Sequence, residues 1–159
     1  MSDIEIQDAP GTGEATAEAR LVPVLLSISK ATRALMRIKL AELGFHNGQD
    51  ELLLALDEEA PVSVSTLAET LSVRPATVSK MLDRLVQKGM VERIENKSDA
   101  RRTMVRVMPA GLDARSILLN MRAKLEAELI SSFPGDVEAM FEALEVVVTS
   151  LKTRLSRLR

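Results

Sequence analysis

The chain has 159 residues, 46% of them hydrophobic and 28% charged, with a formal net charge of −2 at pH 7. That balance excludes an intrinsically disordered chain and allows one compact domain, or two small lobes, with a core of useful size. There is no Cys and a single His, which excludes disulfides, thiolate catalysis, thiol redox sensing, Cys-rich zinc sites and a His-based metal cluster.

Aromatic residues are scarce, three Phe with no Trp or Tyr. A core built from Leu, Val, Ile, Met and Ala favours helices, where such side chains pack as stripes. The fold class expected is mainly α with a small β part. Residues 1–19 read as a flexible tail. The opening "MSDIEIQDAPGTGEATAEAR" is acidic and broken by Gly and Pro, unlike the basic-then-apolar pattern of a signal peptide. No apolar run reaches the roughly 18 residues a membrane helix needs. An intracellular, cytoplasmic protein without a membrane partner is the expectation.

From Leu21 to Leu43 apolar residues recur at 21, 25, 28, 35, 36, 40 and 43, with Thr32 filling the remaining position. That is helical spacing, and Gly44 ends the helix where glycine usually does. Asn47, with Asp50 three residues on, has the look of an N-cap. The helix it opens runs through "GQDELLLALDEEA" and stops before Pro61. Ser63 can cap a short helix, "VSTLAETL", ending near Leu71. Then "RPATVSKMLDRLVQKG" opens with Pro75 at the first helical position and closes on Gly89. Val78, Leu82, Leu85 and Val86 form one of its faces, and Thr77, Lys80, Arg84 and Lys88 the opposite one.

The period then changes. "MVERIE" and "RTMVRVM" are β-like runs joined by "NKSDAR", a hairpin with a longer loop. Thr103, Val105 and Val107 share one face of the second run, and Met104, Arg106 and Met108 the other. After Pro109 and Gly111 the chain is helical again, with Leu112, Leu118, Met121, Leu125, Leu129 and Phe133 lining a helix interrupted at "PGD". The last helix, Val137 to Leu158, has more apolar surface than one small lobe can cover.

The charge is unevenly placed. From Arg74 to Arg106 there are nine basic and four acidic residues, a net of +5, against 12 basic and 19 acidic residues elsewhere, a net of −7. Screening confines each charge to about 8–10 Å, so a local cationic segment counts even in an acidic protein. Seen alone, such a loop or helix face is an ordinary solvated surface. The order in which these pieces occur argues for more.

Two short helices joined by a tight turn and followed by a hairpin form a winged helix–turn–helix. The first helix braces, and the second lays its exposed face into a major groove about 12 Å wide, where base edges are readable. Lys and Arg on that face reach phosphates or guanine acceptors, and Ser or Thr bonds either. The hairpin tip reaches the next minor groove, where narrow A·T-rich stretches attract Arg. Asp99, a carboxylate among Lys97, Arg101, Arg102 and Arg106, would aim a neighbouring guanidinium. The candidate DNA-contacting set is Arg74, Pro75, Ala76, Thr77, Ser79, Lys80, Arg84, Lys97, Asp99, Arg101 and Arg102.

The stretch "LAETLSVRPATVSKMLDRLVQKGMVERIENKSDARRTMVRVMPAG", Leu67 to Gly111, resembles the core of the multiple-antibiotic-resistance regulator (MarR) family of bacterial transcription factors. The shared features are the "LA" of the brace helix, Thr77-Val78, Leu85 with "KGMVER", and Asp99-x-Arg101 in the wing. "MPAG" stands where the family usually has Leu-Thr-x-x-Gly, and Arg74 where a capping Ser or Thr is common.

The resemblance implies a homodimer. Its dimerisation region would be made by the N-terminal helix (20–44) and the C-terminal helices (109–159), around a DNA-binding lobe at 45–108 with its wing at 90–108. Two recognition helices would address a pseudo-palindrome in double-stranded DNA about one turn, ~34 Å, apart. Arg101 matches the wing arginine and Asp99 its ion-pair partner. The lack of Cys excludes the peroxide-sensing branch.

The resemblance also implies a repressor released by a small phenolic or anionic effector, with Met36, Phe45 and His46 in the matching neighbourhood. Core roles for Met36 and Phe45, and a helix-entry role for His46, are the plainer alternatives. No cofactor, metal or catalytic role is expected. A winged-helix protein-interaction module without specific DNA binding is the alternative of a different class, and an enzyme the weakest option.

Overall fold

The computed structural model describes residues 17–95 and 103–158. By internal contacts the chain divides after Asn47 into two compact units.

In the first unit, α1 spans Ala17–Glu42, starting earlier than its apolar spacing suggested. Pro23 lies inside it, removing one main-chain bond within the first two turns. Gly44 ends it at φ 77°. The amide of Gly44 donates to the Ala41 carbonyl (3.0 Å) and that of Phe45 to the Leu40 carbonyl (2.8 Å), a glycine-type C-terminal closure. Leu40 and Phe45 are buried, whereas Leu21, Val22, Val24, Leu26 and Ile28 are exposed.

The second unit runs α2 (Gln49–Ala55), β1 (Val62–Ser63), α3 (Val64–Thr70), α4 (Pro75–Gln87), β2 (Val91–Glu95), β3 (Thr103–Val107), α5 (Pro109–Ser132) and α6 (Val137–Ser156). The strands form one antiparallel sheet in the order β1-β3-β2. Val62 faces Val105, and Val91, Glu92 and Arg93 face Val107, Arg106 and Val105. Leu52, Leu53, Leu67, Val78, Leu82, Leu85, Val105 and Leu118 are essentially fully buried, and together with Val91 and Val107 they make the core. Each such side chain stabilises the fold by roughly 1.5–3 kcal/mol relative to leaving it exposed.

Helix α2 departs from the sequence expectation. Asn47 does not cap it: its amide Nδ2 donates to the Arg33 carbonyl (3.4 Å), and Gly48, at φ 89°, is the cap residue with no side-chain cap bond. The helix also stops at Ala55 and does not continue toward Pro61. Past it, the Asp57 carboxylate accepts from the amides of Glu59 (2.7 Å) and Ala60 (2.9 Å), building a turn in place of helix. Those amides, Ala60 first, hold the Asp57 carboxyl below its usual pKa. The stability this contributes is present above the unfolded pKa and is lost as pH falls through the depressed folded one.

Two arginines on α5 grip both ends of α2. Arg122 Nη2 lies 2.7 Å from Asp50 Oδ2, the aspartate being buried. Seven residues earlier, Arg115 donates to the Leu56 carbonyl (3.1 Å) just past the end of α2 and pairs with Glu58 at 3.4 Å. The two helices are therefore antiparallel, with a span of about 10 Å on α5 matched to about 9 Å on α2 at 1.5 Å per residue.

The sequence reading did not contain β1. Two residues leave no periodic signal, and Ser63 ends the strand while capping α3. Helix α5 starts at Pro109, so Gly111 lies in its first turn. A Cβ at Gly111 would collide with the Met90 carbonyl, whose oxygen accepts from the Met108 amide (2.9 Å). Past Leu125 the helix leaves the core: Leu129 and Phe133 are exposed. Asp136 caps α6 by accepting from the amides of Glu138 and Ala139 (3.0 and 3.2 Å). No residue of α6 is buried. Among the described residues no helix is long and apolar enough to cross a membrane.

Gly111→Ala should cost more than about 2 kcal/mol, because backbone stands where the methyl must go; denaturant titration would read this as a lower midpoint. An unchanged midpoint would mean that α5 does not approach the Met90 carbonyl this closely.

Candidate nucleic-acid interface

The candidate interface is built on α3 and α4. Ser63 is extended (φ −75°, ψ 149°), and its hydroxyl accepts from the Thr66 amide at 3.0 Å and lies 2.8 Å from the Thr66 hydroxyl. The cap expected at Ser63 is therefore present. Helix α3 ends at Leu71, and Ser72 adopts the left-handed φ of 54°. A serine there costs on the order of 1–2 kcal/mol, offset by the tight turn it permits. The Val73 amide returns to the Ala68 carbonyl (3.0 Å). Arg74 then takes the N-cap position without a side-chain cap bond, and Pro75 opens α4. Between the helices lies a groove of about 750 Å³, bordered by Ser65, Glu69, Ser72, Arg74 and Thr77.

Burial of Val78, Leu82 and Leu85 fixes which side of α4 faces outward. Val86, expected with them, is 38% exposed; it lies at the margin of the aliphatic face. Arg74, Pro75, Ala76, Thr77, Lys80 and Arg84 are all exposed along the outward side. No acidic partner for Arg74, Lys80 or Arg84 occurs among the described residues. Ser79 is half-buried, and its carbonyl accepts from Arg93 at 3.1 Å.

Two other cations of the basic segment are paired with acids of the fold. Arg93 Nη2 lies 2.8 Å from Asp83 Oδ1, and Arg106 Nη1 lies 3.2 Å from Glu92 Oε1 across the β2–β3 ladder. The net charge of the segment therefore overstates what is available to a polyanion. Lys97, Asp99, Arg101 and Arg102 lie outside the described residues.

Of the residues considered for an effector, Met36 is half-buried, Phe45 buried and His46 exposed. Among the described residues there is no group of three His, Cys, Asp or Glu side chains that could hold a metal.

The sequence model of the MarR family matches residues 47–103. A cysteine-variant MarR from E. coli, solved in complex with operator DNA, is 27% identical with a TM-score of 0.69, covering 81% of this chain and 93% of that one. The regulator BldR from Sulfolobus solfataricus, at 24% identity and a TM-score of 0.71 over 84% of this chain and 95% of its own, shares the fold. So does a MarR protein from Peptoclostridium difficile, at 18% identity and a TM-score of 0.75 over 100% and 99% of the two chains.

A riboflavin kinase from Thermococcus kodakarensis is 34% identical over 59 residues, 37% of this chain and 26% of that protein. The chain thus spans about a quarter of that relative's length, and the kinase activity belongs to that relative's name.

Ser63→Ala should lower stability by about 1 kcal/mol; calorimetry would register a reduced Tm, and no change would remove the cap from the account of how α3 begins. The matched segment, the α3–turn–α4–hairpin order and likeness over nearly the whole of the E. coli protein agree: residues 47–103 match the MarR family, whose members are transcription regulators and not enzymes, and the chain is similar in fold to such regulators.

Proposed function

We propose that the protein is a sequence-specific DNA-binding regulator, acting as a homodimer on a pseudo-palindromic operator in double-stranded DNA as a repressor that a small effector releases. The observation that carries this reading is the outward side of α4. Thr77, Lys80 and Arg84 are exposed there, with Arg74 at the same helix's start and no acid paired to these cations among the described residues. Cations so placed can neutralise phosphates, while Thr77 and the guanidinium of Arg84 suit base edges.

The remaining members of the contact set, Lys97, Asp99, Arg101 and Arg102, are assigned by the wing motif of the resembling family. In this reading Asp99 aims Arg101 into a minor groove. The operator complex of the E. coli relative supports the same mode of binding.

The dimer is inferred from apolar surface that the described residues leave exposed. Phe141, Leu144, Val148, Leu151 and Leu155 are exposed on α6, and Leu21, Val24 and Ile28 on α1. Obligate dimer interfaces resemble a core cut in half. An effector would then act by differential affinity for the DNA-competent and incompetent arrangements of the dimer. Met36, Phe45 and His46 stay candidates for contacting it, and a cytoplasmic location follows from the role.

With duplex from upstream of the protein's own gene, affinity should fall about a thousandfold or more between 50 and 200 mM salt, as expected for six or more phosphate contacts. Arg101→Ala should weaken binding at least about tenfold with the dimer intact by sedimentation. Salt-insensitive binding or a monomer at micromolar concentration would contradict the proposal, and a protein-interaction module would take its place. Titrating small phenols and aromatic carboxylates into the complex tests release.

A further inference from the structure

Strand β2 alternates, so Arg93 points to the same side of the sheet as Val91, the side that faces α4 and the core. The Arg93 side chain remains partly open to solvent and lies against α4. It has two partners on one flank of α4: the Asp83 carboxylate at 2.8 Å and the Ser79 carbonyl at 3.1 Å. Both contacts are made by Nη2, and Ser79 and Asp83 are four residues apart, one turn of the helix, so a single guanidinium nitrogen bridges that turn. The same turn carries Lys80 and Arg84 on its outward side.

We propose that Arg93 is a positioning residue for DNA recognition, one that locks the rotation of α4 about its own axis to the sheet that carries the wing. This rests on the DNA-binding reading above. Apolar packing of Val78, Leu82 and Leu85 holds α4 in place but is non-directional, whereas the bonds of the Arg93 Nη2 group to both a carbonyl and a carboxylate are directional. A few degrees of roll would move the ends of Lys80 and Arg84 relative to the base edges. Arg93 contributes no phosphate contact of its own, since Asp83 already neutralises it. At 37% and 55% side-chain exposure the pair adds little to stability, so its removal leaves a folded protein.

The sharpest test is Asp83→Asn. Removing a negative charge beside the DNA-facing helix should by simple attraction tighten binding to any duplex. Positioning predicts the reverse for the preferred sequence. Duplex first selected from a random library is compared with a scrambled duplex of equal length over a range of salt. Asp83→Asn and Arg93→Gln should each lower affinity for the selected duplex about tenfold. The double variant should be no weaker than either single one.

Affinity for scrambled duplex should not fall, the Arg93→Gln salt slope should match the parent protein, and Arg93→Lys should recover part of the loss. An Arg93→Gln slope smaller by about 1 would make Arg93 a phosphate contact and overturn the proposal, as would unchanged affinity for the selected duplex in both single variants. If the parent protein prefers no duplex, the DNA-binding reading falls, and this proposal with it.

Discussion

The structure depends on one constraint: α4 must bury its aliphatic side. Val78, Leu82 and Leu85 each have 0% exposure, and with the first turn of α5 closed over Met90 they leave α4 one orientation. Everything polar on α4 is then sorted by angle. Thr77, Lys80 and Arg84 face outward, while Ser79 and Asp83 lie on the flank toward β2. The cationic surface is thus a by-product of core packing, and it costs no separate scaffold.

Electrostatics on this lobe divides into two uses. Arg93, Arg106, Arg115 and Arg122 are spent on Asp83, Glu92, Glu58 and Asp50, fastening strands and helices to one another. Arg74, Lys80 and Arg84 are left outward. An acidic protein can in this way present a local cationic footprint, because screening keeps the distant acids from cancelling it. Helix α5 links the two themes. Its first half is fixed to α2 by Arg115 and Arg122, while its second half and α6 carry exposed apolar side chains such as Leu129, Val148 and Leu151.

Much of this was legible in the sequence because the signals were local. The Ser63 cap, the Pro75 opening, the Gly89 close at φ 67° and the hairpin all follow from residue types at fixed offsets. What was not legible depends on partners far away in the chain. Asn47 has the chemistry of a cap, yet the Arg33 carbonyl takes its amide and Gly48 does the turning. Strand β1 exists only because β3 pairs with it.

Arg93 counted toward a polyanion footprint by charge alone, although the alternation "VER" already puts it on the side of Val91. Helix α5 was expected only after Pro109 and Gly111; Gly111 is in fact inside its first turn, and its missing side chain lets α5 approach the Met90 carbonyl. The outward side of α4 could be read from the helix period, whereas the wing residues Lys97, Asp99, Arg101 and Arg102 rest on their motif and lie outside the described residues.

The central claim is that paired copies of this chain read duplex DNA through α4. It is tested most directly by selecting bound duplexes from a random pool with the purified full chain and sequencing them. The account predicts enrichment of an inverted repeat whose half-sites lie about one helical turn, ~34 Å, apart. A pool that stays random, or that converges on a lone half-site, would contradict it.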